Sequence, residues 1–84
     1  MDYRNRIKDA AVVADDDNKF VGVAIGFVAN VEGSYKILSR KLKNDEEDVW
    51  VLVPLTNSPL WIEGIGIKNA DDTAVASDAV TVIF

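Results

Sequence analysis

VWVLVPLTNSPLWIEGIGIK, residues 49–68, holds more apolar side-chain area than any other stretch of the chain. Two apolar runs, carrying Trp50 and Trp61, flank the polar triplet Thr56-Asn57-Ser58. β-Branched and aromatic runs bounded by turn residues predict a β-hairpin. Pro54 and Pro59 sit symmetrically about the triplet. Proline has no N–H to give a ladder, so they mark where regular pairing stops. Val49–Leu55 is apolar on both faces, as a central strand is. In the second run, Trp61, Glu63, Ile65 and Ile67 share one face. Leu60, Ile62, Gly64, Gly66 and Lys68 share the other, which is bare at its far end. The tryptophans read as core anchors. The bare face at Gly64 and Gly66 needs a cover, from this chain or from another molecule.

Upstream, Phe20–Val31 is the longest strand candidate. Its odd positions are all apolar and its even positions mostly small. Laid out straight it would span ~40 Å, too long for so small a domain. Gly22 and Gly26 are therefore natural places for it to bend. Before it, Asp15-Asp16-Asp17-Asn18 resembles the opening of a calcium loop. Phe20 stands where such a loop needs glycine, and Gly26 where it needs a bidentate glutamate, so the reading is a solvated turn. Ala10–Ala14 reads as a strand leading into that turn. The alternative is a helix over residues 2–12, with Tyr3, Ile7, Ala10, Ala11 and Ala14 on one face. Residues 1–9 read as a polar N-terminal arm and 10–84 as one β domain.

Downstream of Phe20–Val31, Glu32-Gly33-Ser34 is a turn and Tyr35–Leu42 a strand. Lys43–Asp48 is a charged loop. After residue 68, Asn69–Thr73 is a loop, with Asp72 or Thr73 placed to cap one helical turn over Ala74–Ser77. Ala79–Phe84 is a final strand. Five or six short strands joined by polar turns imply an all-β sandwich or small barrel.

Composition narrows the chemistry. The chain has 84 residues, enough for one small core. It has no cysteine and no histidine. That excludes thiolate chemistry, a Ser-His-Asp arrangement and a histidine metal site. The net charge of −5 opposes binding to a phosphate backbone, so no nucleic-acid partner is expected. The longest apolar run is about ten residues against the roughly 20 of a spanning helix, so no membrane partner is expected. Met1–Arg6 lacks the apolar core of a signal peptide, which leaves cytoplasmic synthesis or a virion as the expected location.

No residue pattern specifies a reaction or a ligand. Paired carboxylates can serve as acid and base, but the acids here cluster in polar turns. Glu63 alone lies within an apolar strand, and one carboxylate makes no active site. The expectation is a non-catalytic protein without cofactor or metal. The leading reading is a structural or assembly subunit acting through protein–protein contacts or self-association, on the pattern of accessory components of virus particles. Its expected contacts are the arm residues Tyr3, Arg4, Arg6 and Ile7 and the last residues Val82, Ile83 and Phe84. As an edge strand the latter would offer unpaired backbone to a neighbour; the alternative is a last strand buried within its own domain. Two further readings use other residues. An acidic inhibitor would present Asp45, Glu46, Glu47 and Asp48 to a basic site. A carbohydrate-binding module would stack sugars on Trp50 and Trp61.

Overall fold

The apolar run at residues 20–31 is two strands. In the computed structural model, which describes residues 6–44 and 47–84 (with side chains of residues 40–47 outside the description), β2 (Lys19–Ala24) and β3 (Gly26–Ala29) belong to different sheets. The chain crosses between them at Ile25. The crossing explains why both faces of the run are apolar. Before it the even positions Phe20 and Ala24 enter the core; after it the odd positions Phe27 and Ala29 do.

The other elements are β1 (Ile7–Asp9), the helical turn α1 (Ala10–Val13), β4 (Gly33–Asn44), β5 (Glu47–Leu55), β6 (Gly64–Asn69) and β7 (Val80–Ile83). They form an antiparallel three-stranded sheet in the order β1-β7-β3 and an antiparallel four-stranded sheet in the order β2-β6-β4-β5. Phe27, Ala29, Val80 and Val82 from the first meet Phe20, Ala24, Tyr35, Ile37, Leu55 and Ile67 from the second in one core. The fold is an all-β sandwich, as expected.

The stretch 49–68 is not a hairpin. β5 pairs with β4, in register from Gly33↔Leu55 to Leu38↔Trp50. β6 lies on the other side of β4, with Ile37↔Ile67 in register. The prolines explain the difference. Pairing does stop between them, but the released segment crosses to the other sheet. There Ala29 N–H donates to the Thr56 carbonyl at 2.8 Å, and Phe27 and Leu60 exchange two backbone bonds of 3.0 and 2.9 Å. The segment returns through Trp61–Glu63 to β6. Sequence neighbours β4 and β5 pair with each other instead, out to Asn44↔Glu47.

Three terminal expectations change. Ala10–Ala14 is not a strand: Asp9 accepts a hydrogen bond from Ala11 N–H (3.2 Å) and caps α1. Of the arm expected over residues 1–9, Ile7–Asp9 is a strand paired with β7, which also excludes a helix running through 2–12, and residues 1–5 lie outside the described residues. The last strand is not an edge. β7 is the middle of its sheet, with Val82 fully buried between Lys8 and Phe27.

The loop after β6 carries no helical turn at 74–77. It is held by Asn69, whose side-chain amide donates to the Thr73 hydroxyl and the Ala74 carbonyl, both at 3.0 Å. Val75 and Ala79 are buried in the core. Asp72, in the left-handed region at φ 71°, clamps the loop to the sheet through Lys36 (2.7 Å) and Lys68 (3.2 Å). The hydrogen bonds from Lys36 and then Lys68 hold its carboxyl below the usual 3.8. A folded pKa below the unfolded one gives stability that is present above about pH 4 and is lost as pH falls through the folded value. Asp72→Asn keeps the backbone tolerance and removes both ion pairs. A small fall in Tm is expected at pH 7, shrinking in high salt and vanishing at acid pH, by thermal melts across pH. An equal deficit at every pH would rule out the clamp as its source.

Candidate functional site

The strand register of the three-stranded sheet sorts its side chains. Val82 and Phe27 face the core in one row, and Lys8, in register with them on the edge strand β1, is exposed at its margin. The adjacent row, Ile7, Ile83 and Gly26, therefore faces outward. Ile7 is 54% exposed. Gly26 has no side chain, and the indole of Trp61 lies over it; a Cβ there would stand 2.8 Å from the ring. Trp61 is itself 65% exposed, and Ile25, at the crossing, 45%. Ile7, Ile83 and Trp61 thus form an apolar stripe across the outer face, the kind of surface that marks a contact site.

The four-stranded sheet has a different outer face. Trp50, Leu38 and Gly66 form a row there, and the Trp50 ring reaches across Gly66. Leu38 is fully buried in this second, smaller cluster, apart from the central core. The Lys68 ammonium stands 4.2 Å from the centre of the Trp50 ring. The tryptophans, expected as joint core anchors or a joint platform, lie on opposite outer faces. Trp50 is half-buried by its own sheet, and Trp61 is largely exposed. Gly64 and Gly66, expected on one bare face, look to opposite sides, and each is covered within the chain: Ile37 and Phe27 pack on Gly64 from the core, and Trp50, Leu38 and the Asn18 carbonyl on Gly66 from outside.

The free strand edges are all blunted. β1 is three residues long, β2 contains Gly22 at φ 107°, and β5 contains Pro54 and begins with Glu47 and Asp48. Such features resist strand addition. Phe84 N–H donates to the Arg6 carbonyl at 2.6 Å, which ties the last residue to the start of β1. Among the expected contacts, Ile7 and Ile83 come together on the stripe, whereas Val82 is core and Phe84 half-buried against Phe20. Arg6 is exposed at the sheet margin. Tyr3 and Arg4 lie outside the described residues. So do Asp45 and Glu46, and for Glu47 only the backbone is described. Asp48 is paired with Lys19 at 2.9 Å, which draws it into the sheet's own charge pairing.

Among the described residues the shifted titratable groups form no acid–base pair. The hydrogen bond and charge of Asp48 raise the Lys19 pKa, and hydrogen bonds from Thr73 lower that of Asp71. Lys36 and Lys68 do the same for Asp72. Each shift reinforces the charge the group already carries at neutral pH, the reverse of what a general acid or base needs. The expected Asp15 turn is present: its carboxylate accepts from the N–H groups of Asp17 (2.9 Å) and Lys19 (3.0 Å). Among the described residues no group of acids is placed to hold a metal ion, and no helix is long and apolar enough to cross a membrane. Ile25 and Lys8 were missed as surface features. The proximity of Ile25 to Gly26 was a signal for the first; a three-residue strand leaves no periodicity to reveal the second.

No family model, curated protein or solved structure matches the chain.

Proposed function

We propose that the protein is a non-catalytic assembly subunit that acts through protein–protein contacts made by the outer face of its three-stranded sheet. The observation that carries this reading is the stripe of Ile7, Ile83 and Trp61, of which Ile7 and Trp61 are 54% and 65% exposed. An apolar band of this kind loses water when a partner covers it, and tryptophan is enriched at the centres of such contacts. The route is face packing. Strand exchange by the C-terminal residues does not support it, because β7 is paired on both sides. The setting proposed is an accessory role in a virus particle, by analogy with other small acidic β domains.

Light scattering behind size exclusion tests the reading. Self-association that persists on dilution is expected for the parent chain. Ile7→Lys and Trp61→Ser, both at exposed positions, are expected to shift it to monomer without changing the far-UV spectrum. A strict monomer at every concentration would count heavily against self-assembly.

A second reading rests on the same indole. One face of Trp61 lies on Gly26 while most of the ring is in solvent, a geometry that suits stacking on a sugar. Tryptophan fluorescence that stays flat through a glycan titration would end it.

A further inference from the structure

A groove of about 580 Å³ opens on the side of the sandwich between β1 and β2, away from the outward-facing Ile7–Trp61 stripe. Its lining is Val13, Val21, Gly22, Val23, Phe84 and Lys8. The volume lies within the range of small-molecule sites. Its floor connects to the core through aromatic rings. Phe84 meets Phe20 edge-on at 5.6 Å, and Phe20 lies 6.2 Å from Phe27. On its rim Val21 is 98% exposed, although it belongs to a strand.

Lys8 is the one charged residue in the lining. It is in register with Val82 on the edge strand β1 and is exposed, which places it on the solvent rim of the groove. Among the described residues no carboxylate pairs with it. The acids on either side are engaged elsewhere. The Asp9 carboxylate caps α1 and accepts from the Ser77 hydroxyl (3.3 Å) and Asp78 N–H (3.2 Å). That of Asp15 is used by its turn. An apolar groove with one unneutralised ammonium complements a molecule with an apolar body and a single negative charge. An added peptide strand is a poorer fit, because Gly22 at φ 107° interrupts the extended backbone that strand pairing needs.

We propose that this groove binds a small amphiphilic carboxylate. The apolar chain lies along Val13, Val21, Val23 and Phe84, and the carboxylate accepts a hydrogen bond from the Lys8 ammonium. The site is independent of the assembly reading and stands or falls separately.

The test uses decanoate and decanol, both below their aggregation limits, with calorimetry and methyl NMR on the full chain. Decanoate is expected to bind, shifting the methyls of Val13, Val21 and Val23. Lys8→Met keeps the apolar stem and is expected to weaken decanoate by roughly tenfold while leaving decanol unchanged. Lys8→Glu is expected to abolish decanoate binding and admit decylammonium. Three outcomes would overturn the proposal: no decanoate binding by the parent, shifts centred elsewhere, or decanoate affinity indifferent to Lys8→Met. A far-UV spectrum matching the parent shows that each variant is folded.

Discussion

Phe27→Ala is expected to cost about 3–5 kcal/mol and to leave little folded protein at physiological temperature. A domain of this size holds about 4–12 kcal/mol in total, so this one loss consumes much of it. Phe27 is fully buried and occupies the place where the two sheets meet. Its backbone pairs with Val82 on one side and with Leu60 on the other. Its ring faces Phe20 and closes over Gly64, where an added Cβ would stand 3.0 Å from its tip. Removing the ring empties a space that strands from both sheets would have to move together to fill, which is why the cavity contribution is expected to be large. Phe27→Leu refills most of the volume and is expected to recover most of the loss. Urea titration with unchanged slope and a lowered midpoint measures both. A loss under about 1 kcal/mol for the alanine variant would show that the core is not centred there.

Gly66→Ala is the second large effect, expected at about 1–3 kcal/mol from a single added methyl group. The new Cβ would stand 2.5 Å from the Asn18 carbonyl oxygen, 3.2 Å from the Trp50 ring and 3.3 Å from the Leu38 Cβ. The side chains can yield, but the carbonyl cannot easily do so. It accepts from Ile67 N–H at 3.0 Å, and Asn18 N–H donates to the Asp15 carbonyl at 2.9 Å. Asn18 is also held in the left-handed region, at φ 62°. The methyl therefore pushes a locked turn off β6. Gly33→Ala is the control: nothing lies within 4 Å of its Cβ position, and a change within about 0.5 kcal/mol is expected. Gly26→Ala falls between them, because the Trp61 ring it would strike is exposed enough to swing aside. If Gly66→Ala and Gly33→Ala denature alike, the close approach at Asn18 is not real.

The fold class was legible because apolar alternation and turn residues are local signals. The Asp15 turn, the β4 strand and the position of the last strand followed from them. Pairing partners were not legible. Val49–Leu55 and Gly64–Asn69 look like neighbours in sequence, but each finds a better neighbour in β4, and no local pattern says so. The flip of inward positions at Ile25 was visible only as apolar character on both faces of one run. The site was read less well. Ile7, expected at the surface, is exposed. Trp61 was assigned to the core, because burial of a tryptophan beside Pro59 depends on which sheet the chain crosses to. Asp48 was read as part of a contact surface, but Lys19, distant in sequence, takes it up.

The placement of β7 sets the order in which the molecule can form. β4 and β5 are joined locally and need only their own turn, so they are suited to form early. β1 and β3 have no shared partner until residues 80–83 arrive between them. Ile7 meets Ile83 only after the 75 residues between them have been made. β1 thus waits for a partner far behind it in the chain. Until that partner arrives, Phe27 and its neighbours have only half a core to enter, and the nascent chain exposes them to whatever it meets first.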